Sequence, residues 1–200
     1  MASSSATRPP AENQLSSNPG VHVQVTTHDA EGKAVVKSTT PVKWVRYDDD
    51  KLVMSVLYTT QFPPDLNDEA DIKLHESRVA KGPEATGLAL KGGTVLRYVE
   101  FSPGYTMMHR TQSLDYGIVM EGSVVAVLDS GVTLPLEEHY MKKGDIMVQR
   151  ATMHAWKNPS DTEWARMLFC LQDCRPLFVG EERLKEAGVG DSLPPSGNDD

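Results

Sequence analysis

Residues 94–129 read TVLRYVEFSPGYTMMHRTQSLDYGIVMEGSVVAVLD. Three runs within them, 94–101, 116–120 and 123–129, alternate or cluster β-branched and aromatic residues, with SPG and EG as breaks. Period two with turn residues between the runs predicts short β-strands. The pattern continues downstream in DIMVQ (145–149), HAWKN (154–158) and ARMLFCLQ (165–172). Upstream it holds in VHVQVTT (21–27), AVVKSTT (34–40) and KLVMSVLYTT (51–60), the first two joined by HDAEGK with Gly32 at the turn. QFPPDLNDEAD (61–71) carries a proline pair that no central strand holds, and is expected to be a loop. Short strands at nearly even spacing predict an all-β sandwich or barrel.

The chain's 200 residues suit one core with extensions. Asp and Glu number 28 against 20 Lys and Arg, a formal charge of −8 with no basic run, so nucleic acid is not an expected partner. No segment approaches the ~20 apolar residues of a membrane helix. GxGxxG, P-loop and GxSxG motifs are absent, which argues against nucleotide cofactors and the α/β-hydrolase mechanism. MASSSATRPPAENQLSSNPG (1–20) lacks a secretory or import pattern, and its polar composition predicts disorder. The tail from Gly188 repeats that composition, after a short helix expected in GEERLKEAG (180–188). Cys170 and Cys174 stand too far apart on a strand to form a disulfide, and are expected as buried thiols of a cytoplasmic protein.

Of six histidines, His22, His28, His75 and His139 have no second candidate ligand at a workable spacing and are expected to be structural. His109 and His154 lie in richer surroundings, PGYTMMHRTQSLDYGIVMEG (103–122) and GDIMVQRATMHAWKN (144–158). In these two segments the chain resembles the cupin superfamily, whose first motif places Gly, His-x-His, Glu and Gly in order. Gly104, His109, Thr111, Asp115 and Gly122 stand at those places, with Thr111 for the second histidine and Asp115 for the glutamate. Gly144, His154 and Asn158 match the second motif, while Arg150 and Thr152 replace its Pro and Gly. Gly104 lies one residue nearer its histidine than the motif asks, and His154 arrives one residue early. The phrases HRTQSLDYGIVMEG and VQRATMHAWKNPSD further resemble a fungal subgroup that tailors polyketide-derived, salicylaldehyde-type metabolites.

The resemblance implies a cupin jelly-roll (double-stranded β-helix) barrel over 91–175. Around it would lie an N-terminal strand extension (21–90), a disordered tail (1–20), and a short helix with a disordered tail (176–200). It implies an oxidoreductase acting on a small apolar intermediate, and a homodimer with Trp44 and Tyr58 as interface anchors. It also implies a divalent metal, Fe(II) foremost, held by His109, Asp115 and His154. Two imidazoles and one carboxylate can bind non-haem iron facially. The residues leave other readings open. Asp115 could brace a turn, the histidines could form a metal-free acid–base pair for a dehydratase, cyclase or isomerase, or the barrel could only carry a small molecule. By strand alternation Trp156 shares the face of His154, and Thr111 that of His109. Thr111, Tyr116, Gln149, Arg150 and Trp156 are the candidate substrate-binding residues. Met107, Met120, Met147, Met153 and Met167 are expected mainly as core packing.

Overall fold

The computed structural model describes residues 7–130, 136–189 and 193–196. The chain enters as β1 (His22–His28), β2 (Ala34–Pro41), β3 (Val45–Tyr47) and β4 (Leu52–Gln61), followed by helix α1 (Ala70–Ala80). Then come β5 (Gly93–Phe101), β6 (Met108–His109), β7 (Ser113–Glu121), β8 (Ser123–Leu128) and β9 (Glu137–Lys142). The last strands are β10 (Ile146–Arg150), β11 (His154–Lys157), β12 (Ala165–Asp173), β13 (Leu177–Val179) and β14 (Glu182–Leu184).

Two antiparallel sheets make the body. One has six strands in the order β10-β7-β12-β5-β4-β3, the other four in the order β6-β11-β8-β9. Their inner faces supply one apolar core, with Met54, Val99, Val119, Met167 and Phe169 from the larger sheet meeting Val124, Ala126, Met141 and Trp156 from the smaller. This is the all-β arrangement that the alternating runs predict, and it agrees with the jelly roll that the resemblance implies. Gly122, at φ +72°, is the single residue between β7 and β8, so the chain crosses from one sheet to the other there. A side chain is strained at such a φ, and its Cβ would press to 3.3 Å from Ala165 Cα. β3 and β4 extend the larger sheet, while β1 and β2 pair only with each other.

Several expectations need correction. The stretch 61–71 is not wholly loop: α1 begins at Ala70 and lays Ile72, His75 and Val79 toward β4. Its polar sequence, with Ile72 alone buried, hides the helical stripe. No helix forms in 180–188. β13 and β14 pair there as a hairpin, and Ala187 bridges Arg110, because extended pairing satisfies these backbone groups on the barrel.

Described residues of the amino-terminal tail are ordered by a buried ion pair. Glu100 (β5) and Arg166 (β12) meet at 2.7 Å with almost no exposure. Ser16 Oγ–H donates to Glu100 Oε1 at 2.7 Å, and Asn18 donates to the same oxygen at 3.1 Å. Arg166 donates to the Pro19 carbonyl at 2.8 Å. A tail with little to bury is thus held by polar groups that converge on Glu100 Oε1, while Oε2 has no hydrogen-bond partner. Residues 1–6, 190–192 and 197–200 of the two expected tails lie outside the described residues.

Trp44 is 4% exposed and packs with Val53, Leu57 and Tyr98 inside the chain, so it is not an interface anchor. Tyr58 donates to Asp71 at 2.7 Å and stacks on His75. Cys170 and Cys174 are free thiols, half-buried rather than fully buried.

Candidate active site

β6 and β11 pair so that His109 stands directly opposite His154. Their rings lie 4.4 Å apart, centroid to centroid. Each Nδ1 lies beside the backbone carbonyl two residues back, Met107 for His109 at 3.1 Å and Thr152 for His154 at 3.0 Å. A carbonyl can only accept, so each Nδ1 carries the proton and each Nε2 keeps a bare lone pair. Burial pushes both imidazoles below their ordinary pKa. His154, with His109 beside it as well, falls to about 3. Both rings are neutral at physiological pH.

The pair opens on a cavity between the sheets, with about 560 Å³ of atom-free space including its mouth. Aromatic edges continue the wall: Trp156 meets His154 edge-on at 5.2 Å, and Phe169 lies 5.5 Å from Trp156. Leu52, Met54, Val99 and Leu171 add aliphatic surface. Asp115, Arg97 and Thr111 contribute polar groups to the same cavity.

Asp115 is 4% exposed, and burial lifts its carboxyl to about 7 against the opposing pull of Ser113 and the Arg97 guanidinium. Its Oδ1 has no hydrogen-bond partner. Ser113, which bonds the Asp115 carboxyl, also lies 2.8 Å from Thr111 Oγ1. Thr111, Ser113 and Asp115 therefore form a line of exchangeable protons along one face of the strand. Arg97 donates to the Leu88 carbonyl at 3.1 Å and to the Gly87 carbonyl, while its Nε–H has no partner.

The chain is 38% identical over 180 residues to phomopsin biosynthesis cluster protein C' of Diaporthe leptostromiformis, covering 87% of this chain and 90% of that protein. It is 41% identical over 166 residues to the cupin-domain-containing oxidoreductase fogC of Aspergillus ruber, covering 80% and 76% respectively. The chain belongs to this fungal cupin-domain family. No protein-family profile matches it. Among solved structures, the polyketide cyclase RemF from Streptomyces resistomycificus superimposes with a TM-score of 0.43 at 22% identity, covering 77% of this chain and 84% of that one.

In this cupin-domain protein the motif residues divide into several roles. His109, Thr111, Asp115, His154 and Trp156 all line the cavity. Asn158 does not: its Nδ2 donates to the carbonyls of Phe101, Ser102 and Glu163, which ties β11 to its neighbours. Gln149 is buried opposite Asp115 but is not part of the cavity lining, and it closes the turn before His154, donating to the Thr152 carbonyl at 3.0 Å and accepting from the Thr152 hydroxyl. That carbonyl is the one beside His154 Nδ1, so Gln149 braces the turn that orients the imidazole. Tyr116 is 43% exposed on the outer face of β7, and Arg150 is exposed on β10. Neither lines the cavity, because the alternation that turns Asp115 inward turns Tyr116 outward.

The three residues that the resemblance implies as metal ligands, His109, Asp115 and His154, all line one cavity. Among the described residues, no three His, Cys, Asp or Glu side chains are grouped to hold a metal ion. The imidazoles project from the four-stranded sheet and Asp115 from the facing six-stranded one. Asp115 is also a methylene shorter than the motif's glutamate, and Ser113 holds its carboxyl. A missed cavity residue, Arg97, had a legible signal: Val95, Arg97, Val99 and Phe101 share one face of β5 by alternation, and all four are buried.

Proposed function

We propose that the protein is a cupin-domain oxidoreductase that tailors a small, largely apolar, polyketide-derived intermediate. The names of its relatives support the reaction class. Support from its own residues comes from one observation, the neutral pair His109 and His154 facing each other across an apolar cavity. Two bare Nε2 atoms can accept a proton from a hydroxyl or from carbon next to a carbonyl. Asp115, near its half-protonation point at neutral pH, can take up or return that proton through Ser113 and Thr111. Trp156 and Phe169 exclude water and hold the apolar body of the substrate.

A second reading, a metal-independent dehydratase, cyclase or isomerase, is favoured by the absence of a three-ligand group among the described residues. Mass spectrometry of products from polyketide-derived aldehydes and alcohols separates the two. The purified protein would be assayed with chelator and again with added Fe(II). A change of two hydrogens supports the oxidoreductase, and iron dependence of that change would restore a metal to the site. Loss of water, or an isomer of unchanged mass under chelation, supports the second reading. Stoichiometric binding without any product rejects both and leaves a carrier. The same reading takes the protein as a cytoplasmic homodimer, supported by the exposed apolar residues Tyr116, Ile146 and Val148 on β7 and β10. A single-chain mass by light scattering rejects the dimer, and sedimentation with organelles rejects the compartment.

A further inference from the structure

The carboxy-terminal segment forms part of the cavity wall. Ala187 pairs with Arg110 in both directions, its N–H donating at 3.1 Å and its carbonyl accepting at 2.8 Å. Gly188 then lies flat against the strand that carries His109. A Cβ there would stand 2.3 Å from the Met108 carbonyl oxygen and 3.1 Å from His109 Cα, at a φ of +74°. Only glycine permits both that approach and that backbone angle. Val189 packs on the cavity core. Farther along, the Ser196 N–H donates to the two Glu186 carboxylate oxygens at 3.1 and 3.2 Å, so Ser196 is held close to Glu186 in this return. Leu193 lies within this return, 6% exposed, lining the cavity with His109, Thr111 and Trp156.

A large aliphatic residue in the polar stretch GVGDSLPPSGNDD gains burial only by entering a cavity that the barrel leaves open. Two prolines follow it and restrict the backbone just beyond the point of entry. We propose that Leu193, held in the carboxy-terminal strap beside the contact between Ser196 and Glu186, is a specificity-determining residue that sets how long an apolar ligand the cavity accepts. The proposal rests on the reading of this cavity as the substrate site. It names the ligand class as a polar head, hydroxyl or carbonyl, with an apolar chain or ring bounded by Leu193.

The test uses 4-n-alkylphenols from ethyl to octyl, titrated calorimetrically into the full chain. Each added methylene should tighten binding about fourfold until the chain meets Leu193, after which affinity stops rising. Leu193→Ala should move that cut-off about two to three carbons longer, because close-packed walls respond to single methylenes. Leu193→Trp should move it shorter. Gly188→Val, which dislodges the strap without altering Leu193, should move the cut-off longer as Leu193→Ala does, with the melting temperature as the check on folding. A structural role alone would lower all affinities together without shifting the preferred length. An unmoved cut-off in all three variants overturns this proposal and leaves the cavity reading intact. Failure of the unaltered protein to bind any alkylphenol overturns both.

Discussion

Asp115 is the residue at which sequence and environment disagree most. An aspartate in water ionises near 3.8, and burial lifts this one to about 7. The folded state therefore binds a proton that the unfolded chain has released, so this group's stabilising contribution is full below pH ~4 and is lost as pH rises toward 7. Asp115→Asn removes that dependence. Relative to wild type, the variant should gain ~2 kcal/mol between pH 4 and 7, read from urea unfolding at each pH. A constant difference across the window would show that Asp115 is not raised. His154 has the opposite sign. Its pKa is lowered to about 3, so its contribution is present above 6.5 and lost as pH falls. His154→Ala should cost ~100-fold or more in turnover with an unchanged circular dichroism spectrum, and near-normal turnover would remove the imidazole from the chemistry. The histidines were legible because both sit in recognisable spacings. Arg97 was legible by alternation as a residue of the buried face of β5, but its role and that of Gln149 were not: one depends on what lies across the cavity, the other on how a turn closes.

At the scale of elements, the amino-terminal segment behaves as a strand's partner rather than a tail. It donates twice to Glu100 Oε1, whose charge Arg166 balances while stacking over Trp44 and Tyr98. Removing one side of a buried pair strands the other charge, so Glu100→Ala should cost ~3 kcal/mol or more in urea unfolding. Deleting residues 1–20 should lower the melting temperature by several degrees, since it withdraws Ser16, Asn18 and Pro19 from that pair; an unchanged melting temperature would make the segment dispensable. The alternating runs identified most strands of both sheets because each must bury one face. They missed α1, where Ile72 alone is buried, and the β13–β14 hairpin, where acidic residues followed by Leu and Lys imitate a helix.

For the whole molecule, the cavity is the decisive feature, since both sheets and the carboxy-terminal strap contribute to its wall. A ligand that binds only the folded state should stabilise it by ~2.7 kcal/mol at a hundred times its dissociation constant. Urea unfolding with saturating 4-hexylphenol measures this, and no shift would mean that the cavity does not accept such molecules. The described residues contain no helix long and apolar enough to cross a membrane. Composition and period two, by themselves, determined an acidic all-β domain with two histidines in matched motifs, because burial of alternate side chains is written into every strand. Which groups face one another across the cavity was decided only by the tertiary structure. Strand pairing set His109 against His154, and the crossing between β6 and β7 put Asp115 on the facing sheet. The polar tails found their places because the barrel offered a buried ion pair at one end of the chain and an open apolar wall at the other. Such contacts join residues far apart in sequence, and no local pattern encodes them.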